Sequence, residues 1–155
     1  MTKNIILICI LSLLFSGCAS VQMESVEKSD QAKMFNLPKG DSSGIYVYRS
    51  GVFGSALKKD VWIDGKCIGE TAPNIFFYEE VGCNEQHTVS TESEFSANEL
   101  VLTTECGKNY FLRQYIKMGV FVGGAGIEQV SEEEGKKEVK SLKLAAKGNC
   151  SATNP

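Results

Sequence analysis

The stretch "VWIDGKCIGET", residues 61–71, sets Asp64-Gly65 between two runs of β-prone residues. A two-residue turn of type I′ needs positive φ at both central positions, and Asp-Gly adopts it at little steric cost, so the stretch predicts a tight β-hairpin. Working upstream, "IYVYRS" (45–50) alternates Ile45 and Val47 with Tyr46 and Tyr48, the period of a strand with two distinct faces. Working downstream, "NIFFYEEV", "HTVSTESEF", "ELVLTTE" and "KNYFLRQYIKM" are each strand-like and bounded by Gly, Asn, Pro or Ser. Short strands at regular spacing predict a mainly β domain over residues 44–147, an antiparallel β-sandwich with an open barrel as the alternative. Fifteen glycines against three prolines fit that class.

The segment after residue 130 breaks the pattern. Ser131 followed by Glu134 forms a capping box, and Glu132 with Lys136 and Glu133 with Lys137 are i, i+4 pairs in the favourable orientation. A C-terminal helix over about residues 132–144 is expected, with Val139, Leu142 and Ala145 or Ala146 on its buried side. Gly135 opposes it by about 1 kcal/mol relative to Ala. The alternation in "VKSLKL" keeps a terminal strand open as the alternative, and residues 148–155 read as a tail.

At the other end, one Lys precedes an apolar run over residues 5–15 broken only by Ser12. Such a run covers about half of a ~30 Å hydrocarbon layer, too little for a stable span, and the profile is that of a secretory signal. Leu14-Phe15-Ser16-Gly17-Cys18 resembles the lipobox of bacterial lipoproteins. That resemblance implies a signal peptide over residues 1–17, diacylglycerol on the Cys18 sulfur, cleavage after Gly17 and a further acyl chain on the new amino terminus. The competing reading is an ordinary signal peptide in which Cys18 is incidental. Ala19-Ser20 follow in place of the Asp that marks inner-membrane retention in many diderm lipoproteins, so the resemblance implies the outer membrane, and a domain facing the periplasm is expected. Residues 18–43 are polar and read as a flexible tether with a short helical turn near residues 30–35 that docks Met34 and Phe35. A coil of that length spans roughly 25–30 Å.

The formal charge of −3 gives no basic stripe for phosphates, so nucleic acid is not an expected partner. No metal and no cofactor is expected either.

Two wider resemblances rest on these residues. "VWIDGKCIGETAPNIFFYEEVGCNEQHTVST" (61–91) resembles the PEGA-type β-sandwich pattern. Residues 32–144 resemble a family of small bacterial lipoproteins known only as a domain of unknown function. The implication is a lipid-anchored β-sandwich with no assigned reaction. The chain departs from that family in having "GCNEQ" for a Pro-Gly-Glu-like turn and in carrying Cys83 and Cys106.

Six cysteines divide by position. Cys9 leaves with the signal and Cys18 takes the lipid. If the strands near residues 87–93 and 99–105 pair antiparallel across "EFSAN", their far ends bring Cys83 beside Cys106. A disulfide there would contribute roughly 3 kcal/mol by the chain-entropy model. Cys67 and Cys150 then pair by elimination. A zinc site using all four is the alternative, but no C-x-x-C spacing supports it.

Few residues suggest catalysis. His87 is the sole histidine, so a thiol enzyme would need it beside Cys83 or Cys106; a structural role fits better. Glu92 and Glu94 fall on one strand face about 7 Å apart, within the range of inverting glycosidase carboxylates, as any E-x-E strand does. They define the alternative reading, a periplasmic hydrolase. The glycines of "MGVFVGGAGIEQV" (118–130) lack the lysine and register of a phosphate loop and predict a hairpin. If that hairpin projects, Val120, Phe121 and Val122 make an apolar tip for a partner or membrane. Tyr46, Tyr48, Phe111, Arg113 and Tyr115 are a further candidate, an outward sheet face for a sugar or peptide. The expectation is therefore a non-catalytic binding or structural module, held to the membrane by its lipid, with an envelope protein or a peptidoglycan or other sugar ligand as partner.

Overall fold

The computed structural model describes residues 19–93, 98–121 and 123–152. The Asp64-Gly65 turn forms with positive φ at both residues, 53° and 74°. It joins β2 (Lys59–Ile63) to β3 (Lys66–Thr71) in the hairpin expected of it. Around that hairpin the chain runs α1 (Val26–Ala32), β1 (Ser42–Arg49), β2, β3, β4 (Ile75–Gly82), β5 (Gln86–Thr91), β6 (Asn98–Thr103), β7 (Asn109–Lys117), β8 (Gly124–Val130), α2 (Glu132–Lys140) and β9 (Lys143–Leu144). Two sheets result, β8-β7-β1-β4-β9 and β3-β2-β5-β6. The arrangement is a mainly β sandwich with a C-terminal helix. Most neighbours are antiparallel, but β1 lies parallel to β7, and β4 parallel to β9.

Alternation puts Ile45, Val47, Phe77 and Leu112 of the larger sheet against Val61, Ile63, Ile68 and Val89 of the smaller one, forming the inter-sheet core. A polar relay is sealed within it. The Gln114 amide donates to Thr91 Oγ1 (2.7 Å), the Thr91 hydroxyl donates to the Asp60 carbonyl (2.8 Å), and Gln114's own carbonyl accepts from Thr71. Buried polar groups paired in this way avoid the penalty of an unmade hydrogen bond.

The other face of the larger sheet carries a second core. Tyr46, Tyr48, Phe76 and Phe111 pack with Phe35, Val139 and Leu142 beneath the two helices. Tyr46 and Phe111 stack at 4.8 Å between centroids. The expectation of an outward aromatic face at Tyr46, Tyr48 and Phe111 is therefore corrected: these rings are buried, and only Arg113 and Tyr115 of that set reach solvent. Runs apolar on both faces belong to strands covered on both sides, and β1 is such a strand.

The segment expected to be a flexible tether is folded onto the domain from Ala19 onward. Ser25 caps α1, and the Tyr46 hydroxyl donates to the Ala32 carbonyl at 2.9 Å. The Leu144 amide donates to Ser29 Oγ (3.1 Å), Ala146 N donates to the Gln22 carbonyl (2.9 Å), and Met23 bridges Ala145. Phe35 docks as expected, whereas Met34 is exposed.

The C-terminal helix is shorter than expected. Ser131 accepts from the Glu134 amide at 3.2 Å, Glu132 pairs with Lys136, and the helix ends at Lys140. "KL" then joins the larger sheet as β9, so the helix and strand readings each hold for part of the segment. No helix among the described residues is long and apolar enough to cross a membrane.

Candidate functional site

Because β1 and β7 are parallel neighbours, the loops leaving their C-terminal ends open at the same end of the sandwich. The β1–β2 loop exposes Val52 (79%) and Phe53 (62%); the β7–β8 connection exposes Met118 (87%), Val120 (75%) and Phe121 (85%). Val120 and Phe121 thus sit in the turn between strands ending at Lys117 and starting at Gly124. Val122 lies outside the described residues. Val52 and Phe53 had no sequence signal beyond their apolar character in a Gly-Ser loop.

Both loops are held in place. Buried Arg49 donates from Nη1 to the Leu57 carbonyl (2.7 Å) and from Nη2 to the Gly54 carbonyl (2.5 Å), while burial lowers its pKa. Gly54, at φ 67°, runs so close to β7 that a Cβ there would lie 2.7 Å from Ile116 Cγ1. A Cβ on Gly123 would lie 2.6 Å from Leu57 Cδ1. The two loops therefore pack on one another. Ala19 belongs to the same end, because its amide donates to the Ser55 carbonyl at 3.0 Å. Cys18, the expected lipid site, lies one position beyond the described residues.

A groove of about 580 Å³ opens between α1 and the larger sheet, lined among others by Gln31, Asn36, Leu37, Lys39, Tyr78 and Glu80. Tyr78 donates to Glu80 at 3.0 Å. Its pKa is raised, first by burial and then by that carboxylate. Tyr46 at the floor is pushed up to about 12, chiefly by burial. The groove was not foreseen because one wall is made by the segment read as tether. Ser25 as a helix cap and the Glu24–Lys28 pair at 2.8 Å were its available signals.

The remaining candidates lie apart. Cys83 is bonded to Cys106, with Cα atoms 4.8 Å apart, and Cys67 to Cys150, at 6.0 Å. Asp41 lies near the Cys83 and Cys106 sulfurs, but sulfurs joined in a disulfide present no thiolate to a metal or a substrate. His87 is buried at the opposite end from the apolar loops, with Nδ1 on Asp64 and Nε2 on the Gly82 carbonyl. Glu92 is ion-paired with Lys59 at 2.8 Å, and Glu94 lies outside the described residues.

Fold and surfaces together define a small disulfide-braced β-sandwich domain with helices over one sheet. The chain belongs to the family described as protein of unknown function (DUF2846), whose model matches residues 39–125. An uncharacterized protein of Haemophilus influenzae is 58% identical over 134 residues, covering 86% of this chain and 79% of the relative. No solved structure matches the chain.

Proposed function

We propose that the protein is a lipoprotein of the bacterial outer membrane, acylated on Cys18 and facing the periplasm, whose sandwich domain binds or braces another envelope component without catalysing a reaction. The observation that carries this reading is the junction at Ala19. The Ala19 amide, one position after Cys18, donates to the Ser55 carbonyl at 3.0 Å, which seats the residue that would follow the lipidated cysteine on the sandwich. Cleavage after Gly17 would remove the apolar run and keep Ala19 and its bond to Ser55 in the mature chain. Two disulfides support an oxidising compartment. A binding role is supported by the groove beside Tyr78, where an aromatic ring stands among amide and carboxylate groups suited to a sugar or peptide.

The test is metabolic labelling with palmitate followed by density-gradient separation of the envelope. Label on the wild type, none on Cys18→Ser, and sedimentation with the outer membrane are expected. Unlabelled wild-type protein would overturn the lipoprotein reading. In-cell cross-linking of the anchored form should recover an envelope component that the Cys18→Ser form does not.

A further inference from the structure

Five large apolar side chains stand largely in solvent. Val52, Phe53, Met118, Val120 and Phe121 come from two loops at one end of the sandwich. Arg49 clamps the first loop through two carbonyls, and the close approaches of Gly54 to Ile116 and Gly123 to Leu57 lock it to the second. Their exposure is therefore set by the fold and is not the chance posture of a loose tip. Large apolar side chains gathered at one end of a domain mark contact with a membrane or a partner.

The position of Ala19 identifies the occupant. Its amide is bonded to Ser55, inside the loop that carries Val52 and Phe53, so Ala19 itself is held at the apolar end. The segment after Ala19 is docked along residues 144–146 and leads directly into α1, and supplies no slack. Acyl chains on Cys18 would enter the bilayer within one residue of this patch. The domain would then rest against the lipid surface with the loop end down.

We propose that Val52 and Phe53 together with Met118, Val120 and Phe121 form a bilayer-contact face that inserts at the headgroup and acyl boundary beside the Cys18 lipid. This rests on lipid attachment at Cys18. Apolar side chains at that depth add buried area to the anchor and fix the domain's orientation. The opposite end, with the Asp64-Gly65 turn and the Cys83–Cys106 disulfide, would point away from the membrane.

The experiment uses the full chain purified from membranes and reconstituted into phosphatidylethanolamine and phosphatidylglycerol vesicles with brominated acyl chains. Phe53→Trp and Phe121→Trp each add a reporter to buried Trp62, and Val101→Trp places one on exposed β6 as a control. Palmitate labelling and vesicle flotation are recorded for each preparation. Bromolipid should remove most of the added emission at positions 53 and 121, and none at 101 or from Trp62. Labelled, floating protein whose reporters at 53 and 121 are reached by aqueous iodide and spared by bromolipid would overturn the contact face and leave the lipoprotein reading standing. Reporters shielded from both quenchers would assign the patch to a protein contact and overturn it likewise. Protein that neither carries label nor floats would overturn both readings together.

Discussion

His87 Nδ1 lies 2.6 Å from Asp64 Oδ2, so the sole histidine is held by the turn residue of the β2–β3 hairpin. Asp64 Oδ1 accepts in turn from the Thr88 amide at 2.8 Å, and His87 Nε2 sits 2.9 Å from the Gly82 carbonyl. The pair ties the hairpin of the smaller sheet to the end of β4 in the larger one.

Burial alone would lower the His87 pKa. The hydrogen bonds to Asp64 and Gly82 and the charges of Asp64 and Glu85 outweigh it, and the net shift is upward from 6.5. A group whose folded pKa is raised gives stability that is fully present below its unfolded pKa and lost as pH rises through its folded pKa. The wild type should accordingly lose Tm as pH is taken from about 6 to about 8, and His87→Gln should flatten that slope. Identical slopes for the two proteins would refute the assignment.

Gly135→Ala should destabilise despite the higher helix propensity of alanine. A Cβ there would collide with Cβ and Cγ of Phe111 and lie 2.6 Å from Cδ1. Overpacking of this kind costs about 1–3 kcal/mol, more than the ~1 kcal/mol gained from propensity. Urea denaturation reads the sign directly, and a stabilised variant would show that α2 can move off β7.

The two disulfides should differ in worth. Cys67–Cys150 spans 83 positions and Cys83–Cys106 spans 23. Chain entropy gives about 4.5 kcal/mol for the longer loop against about 3.4 for the shorter. Paired Cys→Ser variants compared in denaturant should show that order. The Cys67/Cys150 variant should also release Ser151 and Ala152, whose amides donate to the buried Asp60 carboxylate at 2.9 Å. Hydrogen exchange at those amides checks the release.

Arg49→Leu should leave the Gly54 and Leu57 carbonyls without their guanidinium donors. A loss of about 2 kcal/mol is expected. Faster hydrogen exchange should be confined to residues 50–58 and the adjoining β7–β8 connection. Uniform loss of protection across both sheets would mean that Arg49 supports the whole fold and not the loop end.

What was legible in the sequence is what local chemistry decides. Asp64-Gly65 specifies its turn whatever surrounds it, and Ser131 with Glu134 marks a helix start within one turn of chain. The Cys83–Cys106 bond was legible because a hairpin register carries positional information outward: His87 opposite Leu102 leaves the two cysteines just past the paired residues. The illegible parts depend on distant partners. Nothing near Ser29 announces that its hydroxyl will accept from Leu144, and so residues 19–43 resembled a tether. The apolar character of Tyr46 and Tyr48 was visible, but their cover comes from Phe35, Val139 and Leu142, remote in the chain. The placement of Phe53 and Phe121 at the same end of the sandwich follows from the parallel pairing of β1 with β7, which an expectation of antiparallel neighbours does not contain.

The bridge between Met23 and Ala145 also has a bearing on the order of events during synthesis. A chain threaded amino end first presents residues 19–24 more than a hundred positions before the segment they pair with, and β1 must likewise wait for β7. Long-range closure of this kind is slow and leaves strand edges open in the interim. The sandwich is thus a late product of its own biogenesis. A ribosome halted before residue 144 leaves Met23, Gln22 and Ser29 with nothing to close upon, and whatever handles the nascent chain must shield it until that point.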